Sequence, residues 1–155
     1  MKGNRDIIDC LNALLTRELS AVDQYLVQAH MLEDWGFTKL QERIGHETDD
    51  ERGHVDRLVK RILFLEGQPD VASRVKLKIG SDPQAMLAND LELELEVAQG
   101  LNEAIALCRK HGDNGTREIL KGLLLDTEND HIFWLQQQLS LVDRLGLKKY
   151  LQEQL

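Results

Sequence analysis

Glu51-Arg52-Gly53-His54 and Glu128-Asn129-Asp130-His131 share the pattern Glu-x-x-His, and Glu18 and Glu94 precede their leading glutamates by 33 and 34 residues. Residues three apart on a helix lie on one face, about one turn apart, so a carboxylate and an imidazole at that spacing reach the same metal ion. All six sit on stripes that are otherwise apolar. Leu11, Leu15, Val22 and Ala29 share a stripe with Glu18, and Leu40, Ile44, Leu58 and Ile62 with Glu51 and His54. Leu87, Leu91, Ala98 and Leu101 do so for Glu94, as do Leu124 and Leu135 for Glu128 and His131. A carboxylate facing an apolar core without a partner costs several kcal/mol, so it takes up a cation or a proton.

Spacing favours the cation. The midpoint between Glu18 and Glu51 falls on Asp34-Trp35-Gly36, and that between Glu94 and Glu128 on His111-Gly112. Both groups are turn-like, so closing each hairpin at its own turn brings the four glutamates to nearly one height. One Glu on a helical stripe is ordinarily a solvated edge residue, and a lone Glu-x-x-His is a weak signal. Two in matched hairpins, each facing a single glutamate at the same depth, are specific. Four carboxylates and two imidazoles form a mixed O/N set that suits a pair of iron or manganese ions, and zinc less exclusively.

The elements that position them read as long helices. The first spans about Asp6 to Glu33, and the second runs from a Thr38 cap to about Glu66, ended by Gly67-Gln68-Pro69. Residues 67 to 82 lack helical period and are long for a turn, as a crossover between two antiparallel hairpins would be. Ser81/Asp82-Pro83 starts a third helix, which ends near His111-Gly112. Gly115-Thr116 opens a fourth that Gly146 closes, leaving Leu147 to Leu155 for a short fifth. The expectation is an all-α chain, residues 1–155 in a single domain.

With 27 acidic against 19 basic side chains, the formal charge is −8. That sign repels nucleic acid and anionic membranes and concentrates cations. No apolar run approaches the roughly 20 residues that span a bilayer, and the N-terminus shows no signal-peptide block, so the cytoplasm is the expected location. Cys10 and Cys108 form no CxxC pair and read as small apolar packing residues in a reducing compartment.

The chain resembles bacterioferritin almost end to end. The likeness lies in Met1-Lys2-Gly3-Asn4, Leu11-Asn12, Glu18-Leu19, Asp23-Gln24-Tyr25 and Asp34-Trp35-Gly36. It continues through Arg61-Ile62-Leu63-Phe64-Leu65-Glu66-Gly67, Met86-Leu87, Asp90-Leu91, Gly146-Leu147 and Tyr150-Leu151-Gln152. The resemblance implies a ferritin-like four-helix bundle assembled as a hollow shell of 24 subunits, and oxidation of iron(II) by dioxygen or peroxide at a di-iron site. It also implies iron storage as a ferric mineral inside the shell. Glu18, Glu51, His54, Glu94, Glu128 and His131 carry over as ferroxidase ligands, with Glu51 and Glu128 as bridges. Tyr25, seven residues after Glu18, has two readings: an electron donor during oxidation, together with Trp134, or a core tyrosine bonded to a ligand carboxylate. His46 and Asp50 resemble the family's inner-surface iron site, although an ordinary exposed pair has the same spacing. Asp50 could orient the histidine of the opposite helix, whereas the residue before Glu128 is Thr127, so the outer support is expected to be uneven. Glu47 reads as lining an approach route.

Haem b marks a departure. The family's axial Met falls here at Arg52, which is cationic and no haem ligand. Met31 and Met86 fall near the haem pocket but do not ligate. The resemblance therefore implies either a homo-oligomer without bis-Met haem or a mixed 24-mer in which a Met-bearing bacterioferritin subunit supplies the haem ligand. The family's bacterioferritin-associated ferredoxin, which reduces the core through haem, is expected only with that haem. Rival readings are a rubrerythrin-like di-iron peroxidase, which would add a Cys-rich iron domain absent here, and a non-catalytic shell subunit with structural metals.

Overall fold

Asn4 opens the first helix, its side-chain oxygen accepting from the backbone N–H of Asp6 at 2.8 Å and of Ile7 at 3.4 Å. The computed structural model describes residues 1–155 and contains helices and connections without a strand. Helix α1 spans Arg5–Asp34, α2 Thr38–Phe64 and α3 Pro83–His111. The fourth long helix runs through α4 (Asn114–Asp126), a π turn (Thr127–Ile132) and α5 (Phe133–Leu145), and α6 (Leu147–Gln152) is short. The expected four-helix bundle with a short C-terminal helix is the architecture, and the boundaries agree to about two residues except at the C-terminus, where α6 stops at Gln152 instead of Leu155. Two local expectations differ. Thr38 is the first helical residue instead of the cap, and α2 begins with no side-chain cap bond. The fourth helix is not α-helical throughout.

Side chains explain the other ends. Asp82 accepts from the backbone N–H of Ala85 with Pro83 beside it, and Asp113 accepts from that of Thr116. Gly112 closes α3 at φ 73°, a left-handed conformation that costs a glycine nothing. Between α2 and α3, the crossover lies against α1. Asn12 holds Gln68 and Asp70, Ser20 Oγ accepts from Val75 N–H, and Gln24 Oε1 accepts from Lys78 N–H. Because the partners rise together in number, the crossover runs parallel to α1. It therefore delivers α3 antiparallel to α1, as the pairs Gln24–Asp90 and Arg17–Glu96 require. At the delivery point a Cβ on Gly80 would lie 2.4 Å from Met86 N, so only glycine fits.

The apolar interior is divided in two. One half gathers Ile7, Leu11, Leu15, Leu58, Ile62, Leu101 and Leu120, and the other Tyr25, Leu32, Leu40, Ile44, Leu87 and Leu135. Each fully buried leucine stabilises the fold by about 1.5–3 kcal/mol. The two clusters supply the burial that lets a belt of ionisable side chains sit between them.

Candidate metal centre

That belt is deeply buried. Glu18, Glu51 and Glu94 are 0% exposed, His131 1% and His54 2%. Glu51 stands at its middle, with Oε2 3.2 Å from His54 Nδ1 and Oε1 2.9 Å from His131 Nδ1. Glu18 Oε1 lies 3.4 Å from His54 Nδ1, and Glu94 Oε1 3.2 Å from His131 Nδ1. Two half-sites result, Glu18–Glu51–His54 and Glu51–Glu94–His131, each with its candidate ligand atoms within 4.8 Å of one another. The imidazoles stack with centroids 5.7 Å apart.

Both oxygens of Glu18 and of Glu51, and Oε2 of Glu94, are buried without a hydrogen-bond partner. Orphaned buried carboxylates are costly, and a pair of cations between them satisfies them at once, so the residues fit two metal ions. Protons do this work in the metal-free chain. Burial, then the charge of Glu51, pushes the Glu18 carboxyl up to about 8. Burial works to lower His54, but the neighbouring carboxylates of Glu18 and Glu51 win and lift it to about 10. His131 is raised likewise, by Glu47, Glu51 and Glu94 against its own desolvation.

Carboxylates also hold the far sides of both rings. Glu47 Oε2 is 2.8 Å from His131 Nε2, with Asp50 behind it at 3.7 Å, and Asp126 Oδ2 is 3.4 Å from His54 Nε2. An acceptor at Nε2 fixes the tautomer that presents the Nδ1 lone pair to a metal. Arg43 braces one side, reaching Glu47 at 2.6 Å and Asp130 at 2.8 Å while lying over the Trp134 ring. Arg57 holds Asp126 at 2.7 Å. The uneven outer support expected from Thr127 is corrected here: Asp126, one residue earlier, fills that place. Glu47 touches His131 directly, and its position on the α2 stripe was the available signal.

Tyr25 is fully buried and its hydroxyl donates a short hydrogen bond to Glu94 Oε1. His46 is largely exposed, with Nε2 3.4 Å from Asp50 Oδ2. Both line a cavity of about 360 Å³ without an apolar wall, which also reaches His54, Asp126, Asp130 and His131 and so joins the belt to the surface. Gly53 is on its rim, and a Cβ there would meet nothing within 4 Å, so packing does not require glycine. Glu128 is the sequence-identified residue the structure does not bring in. Its side chain is exposed, because the π turn rotates it away from His131, and Thr127 is buried instead.

Residues 8–145 match the model of the ferritin-like domain family. The chain belongs to the ferritin family. Across all of both chains it is 49% identical to a bacterial ferritin of Pseudomonas aeruginosa. A bacterial ferritin of Paramagnetospirillum magnetotacticum is 48% identical over 98% of this chain and 93% of its own. A bacterioferritin of Rhodobacter capsulatus is 40% identical over 94% and 90%. No helix of this ferritin-family chain is long and apolar enough to cross a membrane. Its Arg52 lies on α2 with an exposed side chain, 3.5 Å from Asp49.

Asp90 extends the acid cluster beyond Glu18, Glu51 and Glu94. It is fully buried and bonded to Gln24 Nε2 at 2.8 Å, with Oδ2 unpartnered. Burial, against the donors Gln24 and Gln28, raises its carboxyl to about 8. A raised value contributes stability that is complete below the unfolded carboxyl's range near 4 and is lost as pH climbs through about 8. Asp90→Asn, which cannot ionise, should therefore match the parent's melting temperature near pH 4 and exceed it by several degrees at about pH 8. A constant difference across that window would contradict the assignment.

Proposed function

We propose that this chain is an iron-storage ferritin subunit that oxidises iron(II) to iron(III) at an intrasubunit di-iron site for mineralisation inside a 24-subunit shell, acting in the cytoplasm as one ferritin-like domain. The observation that carries this reading is the Glu51 carboxylate lying between two buried imidazoles, with Glu18 and Glu94 closing the two ends. Iron bound there would supply electrons to dioxygen or peroxide.

The chain's own residues bind, orient and move protons. Glu18, Glu51 and His54 would hold one ion, and Glu51, Glu94 and His131 the other. Glu47, Asp50 and Asp126 keep the rings turned with Nδ1 inward. Protons leave Glu18 and the two histidines as cations arrive. Tyr25, hydrogen-bonded to Glu94, is placed to pass an electron from the protein. The acidic cavity with His46 and Asp50 at its mouth gives cations a path inward and serves as the inner-surface iron site. Glu128 would join as a ligand only if its turn rearranged. With arginine at position 52, haem b requires a Met-bearing partner subunit, and reduction through a bacterioferritin-associated ferredoxin follows that subunit.

Stopped-flow mixing with dioxygen tests the reading. The assembled protein should consume two iron(II) per chain in a fast phase, slowed about 100-fold or more in Glu18→Ala and His131→Ala. An unchanged fast phase in both variants would leave the metals a structural role.

A further inference from the structure

We propose that the cavity between the end of α3 and the start of α4 is an oxyanion site that binds inorganic phosphate through Arg109, Lys110 and Arg117. It shares no residue with the buried acid belt and does not rest on the di-iron reading.

Asn102, Ile105, Ala106, Arg109, Lys110 and Arg117 line a cavity of about 490 Å³. Half of that lining is cationic and none of it acidic, in a chain with 27 acidic against 19 basic side chains. A concave wall of one sign concentrates the opposite ion, and here the sign is reversed from that of the chain as a whole.

Pairing within the chain does not account for these three cations. Most other arginines sit against a carboxylate of another helix or of the crossover's neighbour. Arg17 meets Glu96 and Arg74 meets Asp23 at 2.8 Å, Arg57 meets Asp126 at 2.7 Å, and Arg61 meets Asp113 at 3.2 Å. The side chains of Arg109 and Lys110 have no such partner, although the last turn of α3 suits a cation. Arg117 stands on the opening turn of α4, where the helix dipole disfavours positive charge. The Glu118 carboxylate is 4.0 Å from it and is held by Lys121 at 3.1 Å. Arg117 Nε is moreover buried without a hydrogen-bond partner. A buried donor on a charged group is costly to leave unpaired, so Arg117 wants an acceptor that the chain itself does not supply.

The donor set selects the ligand. Two planar guanidinium forks match pairs of oxygens on a tetrahedral oxyanion, and the ammonium adds a compact charge. Chloride offers a fork no pair of oxygens. Phosphate near neutral pH supplies both the oxygens and enough negative charge to offset most of the lining.

Calorimetric titration of the assembled, metal-free protein with inorganic phosphate at fixed ionic strength tests the site. The parent should bind one phosphate per chain saturably, and chloride in its place should give no saturable heat. Arg109→Gln and Arg117→Gln should each weaken binding at least about tenfold, the worth of one charge-assisted hydrogen bond. Both side chains reach solvent, so neither substitution empties the core. Arg144→Gln removes an equal charge from α5, outside the cavity, and should bind as the parent does. Absence of saturable binding in the parent would overturn the inference. So would phosphate binding unchanged in Arg109→Gln and Arg117→Gln, or weakened as much in Arg144→Gln. None of these results touches the iron reading, which the cobalt and iron titrations decide separately.

Discussion

Glu51→Ala should abolish uptake of both cations, whereas Glu18→Ala and Glu94→Ala should each cost only one. The asymmetry follows from position. Each oxygen of Glu51 faces a different histidine, so its removal leaves Glu18 with His54 and Glu94 with His131, two ligands apiece. Glu18 and Glu94 sit at opposite ends, and losing either leaves the other half-site with all three of its groups. Loss of supporting groups outside the coordination sphere already weakens metals 10–100-fold, so loss of the shared ligand should exceed about 100-fold at both sites. Anaerobic titration read by calorimetry resolves the two binding events. Retention of one tight ion in Glu51→Ala would mean that the two half-sites do not share a carboxylate.

Affinity for divalent cations should rise steeply with pH. The metal-free chain keeps a proton on Glu18 until about pH 8 and on His54 until about pH 10. A cation must displace both below pH 8, so apparent affinity at that half-site climbs about tenfold per pH unit for each displaced proton, and only half as steeply in logarithm above it. Stability has a matching sign. The Glu18 contribution is complete below its unfolded carboxyl range and is lost as pH rises through about 8, and that of His54 is complete below the imidazole range and lost through about 10. The metal-free protein should therefore weaken with rising pH over the range where cations bind better, and metal-induced stabilisation should widen with it. Cobalt(II) titrations at three pH values, with an indicator dye counting released protons, check this. Binding independent of pH would mean the site holds no protons to lose.

The architecture was legible because helix periodicity, Asp82-Pro83 and the glycines at 36, 112 and 146 each act locally. Five of the six anticipated ligands converge because their spacing counts whole helical turns from a shared hairpin bend. Glu128 does not, and the reason is a one-residue excess. Counting forward from Thr116, Leu120 and Leu123, all buried, the next inward position is Thr127, whereas counting back from Leu135 and His131 it is Glu128. The unequal separations of 33 and 34 residues reflect the same surplus. A single α-helical period cannot satisfy both halves, and the chain absorbs the difference in a wide turn beside the buried acid belt, as such turns recur at functional sites. The contact of Asp126 with His54 comes from the α-helical register ahead of that turn, which counting back from His131 misses. Arg43, on the α2 surface by pattern, was equally hidden because its partner Asp130 lies within the turn.

Gln24 is shared between two parts of the molecule that are distant in sequence. Its carbonyl receives the Lys78 amide of the strap along α1, and its NH2 supports Asp90 in the acid belt. The side chain cannot flip without breaking both bonds at once, so the strap and the roof over the acid belt are geared to a single amide. A substitution that lifts residues 76–80 from α1 would unseat Asp90 as well, transmitting a surface change to the buried charges without any helix having to slide.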